Sequence, residues 1–218
     1  MGRVWVVVVA AGSGRRFGGA KQYEPLAGRR VLDWSLDAAR SVVAGPGRAP
    51  GGAGGVVLVV APGREGDDEP AADAVVAGAR TRSGSVRAGL ARVADDAEVI
   101  VVHDGARPLA GVDLFTAVVR AVREGADAAV PGVPVADTLR SRDGGVVDRD
   151  RLVAVQTPQA FRAAALRAAH ATGAEATDDA SLVEAAGGKV VVVDGSPTNL
   201  KITRPADLVV AEALLRAR

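Results

Sequence analysis

VWVVVVAAGSGRRFGGAK (Val4–Lys21) is the stretch that decides how this chain folds. The run Val4–Ala11 shows no polar alternation, so it reads as a strand buried on both faces. Gly12, Ser13 and Gly14 then let the backbone turn sharply and lie against a ligand. Arg15, Arg16 and Lys21 place fixed cations just past the strand's end. Bare backbone N–H donors beside positive charge are what a polyphosphate needs.

Two commoner phosphate loops do not fit. A P-loop requires G-x-x-x-x-G-K-S/T, but Lys21 is followed by Gln22. A dinucleotide fingerprint requires G-x-G-x-x-G opening a helix; Gly12 and Gly14 begin it, and Phe17 stands where the third glycine belongs. The stretch therefore reads as the triphosphate loop of a nucleotidyltransferase, against the alternative of a solvated basic turn.

Composition narrows the class. Hydrophobic residues make up 48% of the 218 residues and aromatics only 3%, so the core is built from Val, Leu and Ala. That suits a parallel sheet covered by helices. Lys+Arg 27 against Asp+Glu 26 leaves a net charge of +1, which argues against nucleic-acid or membrane-surface partners. There is no cysteine, hence no disulfide, thiolate metal site or cysteine nucleophile. The N-terminal apolar run is too short to span a membrane. It also leads directly into Gly12–Arg15, unlike a secretory leader, and a cytoplasmic protein is the expectation.

Valine-rich runs recur at Val4–Ala10, Val56–Ala61, Val99–His103, Ala128–Val133 and Lys189–Asp194. Helical periodicity lies between them. Val31, Leu32, Ser35, Leu36, Ala39 and Val43 share one face; Val86, Leu90 and Val93 form another; Leu114, Val118, Val119 and Val122 a third. Pro205 and Asp207 open a last helix running to near Arg218. Alternating strands and helices imply βαβ units, hence an α/β fold with a Rossmann-like, mostly parallel twisted sheet and helices on both faces.

Two segments interrupt the rhythm. Gly45–Gly55 reads as a flexible surface loop. In 134–156, Val135–Leu139 and Val146–Asp148 flank a turn at Arg142–Gly145 and read as a projecting β-hairpin arm. Such a hairpin is not stable alone and is expected to pair with something, its copy in a second subunit being the expected partner. The whole chain, 1–218, is expected to be one nucleotidyltransferase domain carrying this arm.

Ligands in α/β sheets bind beyond the carboxyl ends of the strands. Gly12, Gly14, Arg16 and Lys21 follow the first strand; His103, Asp104, Arg107 and Pro108 follow Val99–Val102. Asp137 and Thr138 follow Ala128–Val133, and Asn199, Leu200 and Lys201 follow the last strand. Asp104 reads either as a cap on its own loop or as a group near substrate hydroxyls or a divalent cation. Arg107 can pair with Asp104. His103 reads as a packed strand-end histidine, and no protein-built zinc or iron site is expected. Lys201 and Arg149, taken alone, are ordinary surface cations. Thr177-Asp178-Asp179 reads as a helix N-cap with acidic residues in the first turn.

The residues match a family in order along nearly the whole chain: AAGSGRRFGGAKQY (Ala10–Tyr23), SVRAGL (Ser85–Leu90), VHDGARP (Val102–Pro108), PVADTLR (Pro134–Arg140), DR (Asp148–Arg149), QTPQAF (Gln156–Phe161), TDDAS (Thr177–Ser181) and NLKITRPADL (Asn199–Leu208). Each motif is short, but the ordered set is specific. The chain resembles the 2-C-methyl-D-erythritol 4-phosphate cytidylyltransferases of non-mevalonate isoprenoid synthesis. That resemblance implies cytidylyl transfer from CTP to a sugar-alcohol phosphate, with Mg2+ held mainly by the nucleotide phosphates. By resemblance, Arg16 and Lys21 stabilise charge on the triphosphate, and Arg149 and Lys201 hold the acceptor phosphate. Asp104, Arg107, Thr138 and Thr157 line the acceptor pocket. Ala10, Ala11, Gly12, Gly14, Ser85 and Asp104 contact the nucleotide. The arm interlocks a homodimer and lends Thr138 and Arg149 to the neighbour's site. The chain departs from the family pattern at Ala20 (usually Pro), at Gly78-Ala79-Arg80 (usually Gly-Gly-acid) and at Gly105 (usually Ala). The rival readings are a ribitol-5-phosphate cytidylyltransferase and a non-catalytic nucleotide-binding module.

Overall fold

In the computed structural model, which describes residues 2–44 and 54–217, the N-terminal apolar run is strand β1 (Arg3–Val9). Its valines alternate between two cores. Val6 and Val8 pack with Leu32, Leu36, Phe115 and Val118, whereas Val7 packs with Val86, Ile100, Phe161 and Leu166. A strand apolar on both faces needs two covers, and the rest of the chain supplies them.

After β1 come a small hairpin of β2 (Pro25–Leu26) and β3 (Arg29–Arg30), then α1 (Val31–Ala44), β4 (Gly54–Val60), β5 (Ala74–Ala77), α2 (Arg82–Leu90), β6 (Ala97–Asp104), α3 (Val112–Arg123) and β7 (Ala128–Pro134). An arm containing β8 (Leu139–Arg140) and β9 (Val146–Val147) leads to β10 (Val153–Val155), β11 (Gln159–Arg162), α4 (Ala163–Ala171), α5 (Asp179–Ala185), β12 (Val190–Asp194) and α6 (Pro205–Arg216). Helices α1 and α3 cover one face of the sheet; α2, α4 and α5 cover the other. Helix α6 closes a third, smaller cluster with Leu26, Val31, Leu109 and Ile202.

The sheet order is β10-β7-β11-β6-β1-β4-β5, with β12 also pairing β7. β1 is parallel to β4 and β6, β4 to β5, and β12 to β7. The antiparallel pairings of this sheet among the described residues all come from residues 153–162, where β10 runs against β7 and β11 is wedged between β6 and β7. β11 reads in sequence only as part of QTPQAF, because a four-residue strand with a polar residue at each end, Gln159 and Arg162, carries little periodicity. Val9 lies level with Asp104, so the glycine-rich loop and the end of β6 open side by side.

Helix α1 buries the expected face: Val31, Leu32, Ser35, Leu36, Ala39 and Val43. On α3 the buried stripe is Phe115, Val118, Val119 and Val122, so Phe115 takes the place expected for Leu114. The i, i+3, i+4, i+7 spacing from Phe115 is the better helical match. Of the loop expected at Gly45–Gly55, residues 45–53 lie outside the described residues, and Gly54 and Gly55 already belong to β4.

The arm is shorter in pairing than expected. Only Leu139 and Arg140 pair with Val147 and Val146. Asp148 leaves the ladder because its carboxylate accepts from the Asp150 N–H at 3.2 Å and caps a short turn. Gly144 and Gly145 both take positive φ, 106° and 80°, which lets the Ser141–Gly145 turn close. Val146 is 64% exposed, and Leu152, Val153 and Val155 are also exposed. Among the described residues, no helix is long and apolar enough to cross a membrane.

Candidate active site

The loop after β1 is built by two devices. Gly14 sits at φ 63°, and a Cβ there would lie 1.7 Å from the Gly19 carbonyl oxygen, so only glycine fits. The Gly14 carbonyl accepts from the N–H groups of Phe17 and Gly18 at 2.8 and 2.9 Å. Buried Gln22 then reaches back, its Nε2 donating to the Ala10 carbonyl at 2.8 Å. The loop therefore keeps its shape while Gly12, Arg15 and Arg16 stay exposed.

This loop forms one wall of a cleft of about 780 Å³, which Ala10, Ala11, Gly12, Gly14, Arg16, Lys21, Ser85, Asp104 and Lys201 all line. A second cavity of about 360 Å³ is lined by Arg107, Gln156, Thr157 and Asp178, and shares Arg82, Asp104 and Lys201 with the first. Residues from the ends of β1 and β6, the start of α2, and the segments after β10 and β12 thus meet at one rim of the sheet.

Asp104 is the hub. Its Oδ2 accepts from Lys201 Nζ at 2.6 Å. Arg82 Nε lies 3.7 Å from Oδ1, and Arg107 Nε 4.0 Å from Oδ2. Burial alone pushes the Asp104 carboxyl up, but Lys201, Arg82 and Arg107 outweigh it and hold the group well below the usual carboxylate range. Lys21 shows the reverse imbalance. Burial and then the nearby Lys201 charge lower its ammonium, with Arg16 adding to the effect and Asp104 opposing it. The rim carries more positive charge than it neutralises, a state that a polyanion relieves.

Several expected ligand contacts turn out to be built into the scaffold. The Thr157 hydroxyl accepts from the Asp104 N–H at 3.0 Å and lies 3.2 Å from His103 Nδ1. Ser85 Oγ accepts from the Ala79 N–H at 3.0 Å and donates to the Thr81 carbonyl at 2.9 Å, shaping the turn into α2. Arg107 Nη1 donates to the Asn199 carbonyl at 2.8 Å, tying the end of β6 to the segment that carries Lys201. Asn199 is fully buried, and its amide donates to Gln156 Oε1 and the Thr157 carbonyl. Thr138 and Arg149 line neither cavity of their own chain. Both lie exposed on the arm, where the Arg149 guanidinium donates to the Ala136 carbonyl.

Three residues escape sequence reasoning: Gln22 and Arg82, which line the cleft, and Asp179, which lies behind it. Gln22 had a signal, because it follows Lys21 in the loop motif. Arg82 had none beyond its place between Arg80 and Ser85, since nothing local distinguishes a cleft arginine from a surface one. Asp178, expected in the first turn, is itself the N-cap of α5, accepting from the Ser181 N–H at 3.1 Å, and Asp179 is fully buried and pairs with Arg82 Nη1 at 2.7 Å.

His103 packs as expected, fully buried against Phe115 with ring centroids 4.9 Å apart. Burial pushes its pKa down to about 4 from the ordinary 6.5, with Asp104 opposing. Between those values the unfolded chain binds a proton that the folded chain refuses, so stability falls as pH drops through this window. The expected loss by pH 4 is about 3 kcal/mol. Denaturant midpoints from pH 7 to pH 4 measure it, and His103→Gln is expected to flatten the slope. An unchanged slope would assign the acid sensitivity to other groups.

Comparison with known proteins shows the family and the fold. The family model described as IspD, 2-C-methyl-D-erythritol 4-phosphate cytidylyltransferase, matches residues 4–217. A curated protein of that name from Rubrobacter xylanophilus is 44% identical, the match covering 97% of this chain and 94% of that protein. A "Bifunctional enzyme IspD/IspF" from Clavibacter michiganensis is also 44% identical over 98% of this chain, which spans only 54% of that longer relative. The crystal structure of the 2-C-methyl-D-erythritol 4-phosphate cytidylyltransferase from Thermus thermophilus superposes with a TM-score of 0.81 at 37% identity, covering 96% of this chain and 98% of that one. A glycine-rich cationic loop beside a carboxylate-centred cluster thus sits at the rim of a sheet whose architecture these relatives share, and the chain belongs to the 2-C-methyl-D-erythritol 4-phosphate cytidylyltransferase (IspD) family.

Proposed function

We propose that the paired cavities transfer a cytidylyl group from CTP to the phosphate of 2-C-methyl-D-erythritol 4-phosphate. An acceptor phosphate oxygen forms a bond to the α-phosphorus, the bond from that phosphorus to the bridging oxygen breaks, and pyrophosphate leaves. The observation that carries the reading is the single rim at which Arg16, Lys21 and Lys201 line one cleft while Lys201, Arg82 and Asp104 also wall the next. A phosphate monoester has a second pKa of about 6, so the acceptor is largely dianionic at neutral pH and needs no general base. The obstacle is repulsion: like unit charges 4 Å apart cost roughly 4 kcal/mol at an effective dielectric of 20. The rim cations offset it, and catalysis is positioning plus charge stabilisation.

Mg2+ is the cofactor of this reading. Among the described residues, no cluster of three or more His, Cys, Asp or Glu could cage a metal. Together with the engaged Asp104, that donor set suits an ion that keeps its waters and binds chiefly through phosphates. When bound, it neutralises phosphate charge. A cytoplasmic homodimer completes the reading. The exposed apolar residues of the arm face a second copy, and Thr138 and Arg149 act in the neighbour's site.

Pyrophosphate release, assayed with each of the four nucleoside triphosphates and with either 2-C-methyl-D-erythritol 4-phosphate or ribitol 5-phosphate, tests the function. Release with CTP and the methylerythritol phosphate supports it. Preference for ribitol 5-phosphate replaces the acceptor, and binding of CTP without release reduces the protein to a binding module. Arg149→Ala is expected to raise KM for the sugar phosphate about 10–100-fold, the loss of one charged hydrogen bond, with KM for CTP little changed. An unchanged acceptor KM would take Arg149 out of the pocket.

A further inference from the structure

Asp179, in the first turn of α5, has no exposed surface and lines neither cavity. Its Oδ2 accepts from Arg82 Nη1 at 2.7 Å, and its Oδ1 lies 3.0 Å from His170 Nε2. His170 is itself 4% exposed, in the last turn of α4. Arg82 opens α2 and belongs to the walls of both cavities. Nothing in the reaction above uses Asp179 or His170.

A buried carboxylate loses its hydration, and a buried ion pair contributes little net stability compared with apolar packing. Its value lies in fixing geometry. The guanidinium is planar, with five donors in a rigid fork. Asp179 holds the Nη1 corner. Nε is 3.7 Å from Asp104, too far for a hydrogen bond. Donors therefore remain for a ligand at the seam of the cavities, and a guanidinium edge matches two phosphate oxygens. The chain His170–Asp179–Arg82 runs from the α4/α5 layer to the point where acceptor and nucleotide phosphates must meet.

We infer that Arg82 is a catalytic residue that binds the reacting phosphates where the two cavities join, and that Asp179, braced by His170, is its positioning residue. The inference rests on the reaction proposed above. A double-mutant cycle tests it with Arg82→Ala, Asp179→Asn and the pair, reading kcat, KM for both substrates and Tm. Asp179→Asn keeps the shape and drops the charge. Arg82→Ala is expected to lower kcat/KM for the acceptor on the order of 10²-fold, and Asp179→Asn about tenfold. In the Arg82→Ala background, Asp179→Asn should add less than twofold, since coupled residues are not additive. Arg82→Lys should recover part of the loss. Full additivity, or an Asp179→Asn effect on Tm alone, overturns the inference. If the double variant does not fold, His170→Gln replaces Asp179→Asn and must show the same non-additivity. Calorimetric binding of inorganic phosphate to the same proteins separates the two readings. If wild type releases no pyrophosphate, the reaction fails, yet a Kd raised about tenfold in each single variant and no further in the double still upholds the Arg82–Asp179 coupling.

Discussion

Lys21→Ala is expected to lower kcat for pyrophosphate release on the order of 10²–10³-fold while moving KM for CTP far less. Lys21 is half-buried on the loop wall of the larger cleft. Burial and the charge of Lys201 already press on its ammonium, against the pull of Asp104. Such a crowded cation gains most when negative charge grows beside it, as happens on the departing pyrophosphate. Arg16 remains on the same cleft wall in the variant and, on the proposed reading, still engages the triphosphate, so the loss is expected to fall on the transition state. Steady-state kinetics with saturating CTP measure it, and a kcat within about threefold of wild type would remove Lys21 from the chemistry.

Asp104→Ala is expected to cost about 3–5 kcal/mol of stability, because it strips the counter-ion from a buried cluster. Lys201, Arg82 and Arg107 stand 2.6, 3.7 and 4.0 Å from its carboxylate, and the side chain is only 12% exposed. For a chain of this size each kcal/mol moves Tm by about 2–4 °C, so a fall on the order of 10 °C is expected. Added phosphate should recover more of that fall in the variant than it adds to wild type, because the anion stands in for the carboxylate. The same pairing sets an acid limit. The folded carboxyl sits below its ordinary range, so its contribution is present above about pH 4 and fades as pH falls further. A variant that melts within about 2 °C of wild type would mean the cluster is solvated and the hub idle.

Much of this was legible before folding. The valines of β1 declared a doubly covered strand, and the glycines and cations after it declared an anion loop. Every residue of the expected stripe of α1 is buried, and Ala38 joins them. The errors are local in origin. Leu114 and Phe115 are adjacent apolar residues; the i, i+3, i+4, i+7 spacing favours Phe115, and packing of α3 against β11 and β7 buries it. The arm's outer strand, expected from Val135, begins at Leu139 because Asp148 caps itself into a turn and ends the pairing.

Helical and strand periodicity, glycine placement and capping depend on residues a few positions apart, and so they can be read along the chain. The site depends on distance in space. Lys201 meets Asp104, and Asp179 meets Arg82, each across 97 residues of sequence. Coulomb energy falls with separation and rises with burial. Neither is defined until the sheet brings the ends of β1 and β6 level and the start of α5 settles beside the start of α2. Sequence alone named Arg16, Lys21, Arg107 and Lys201; the tertiary fold added Arg82 to them, decided which are paired and which face the cleft, and set a buried carboxylate behind Arg82.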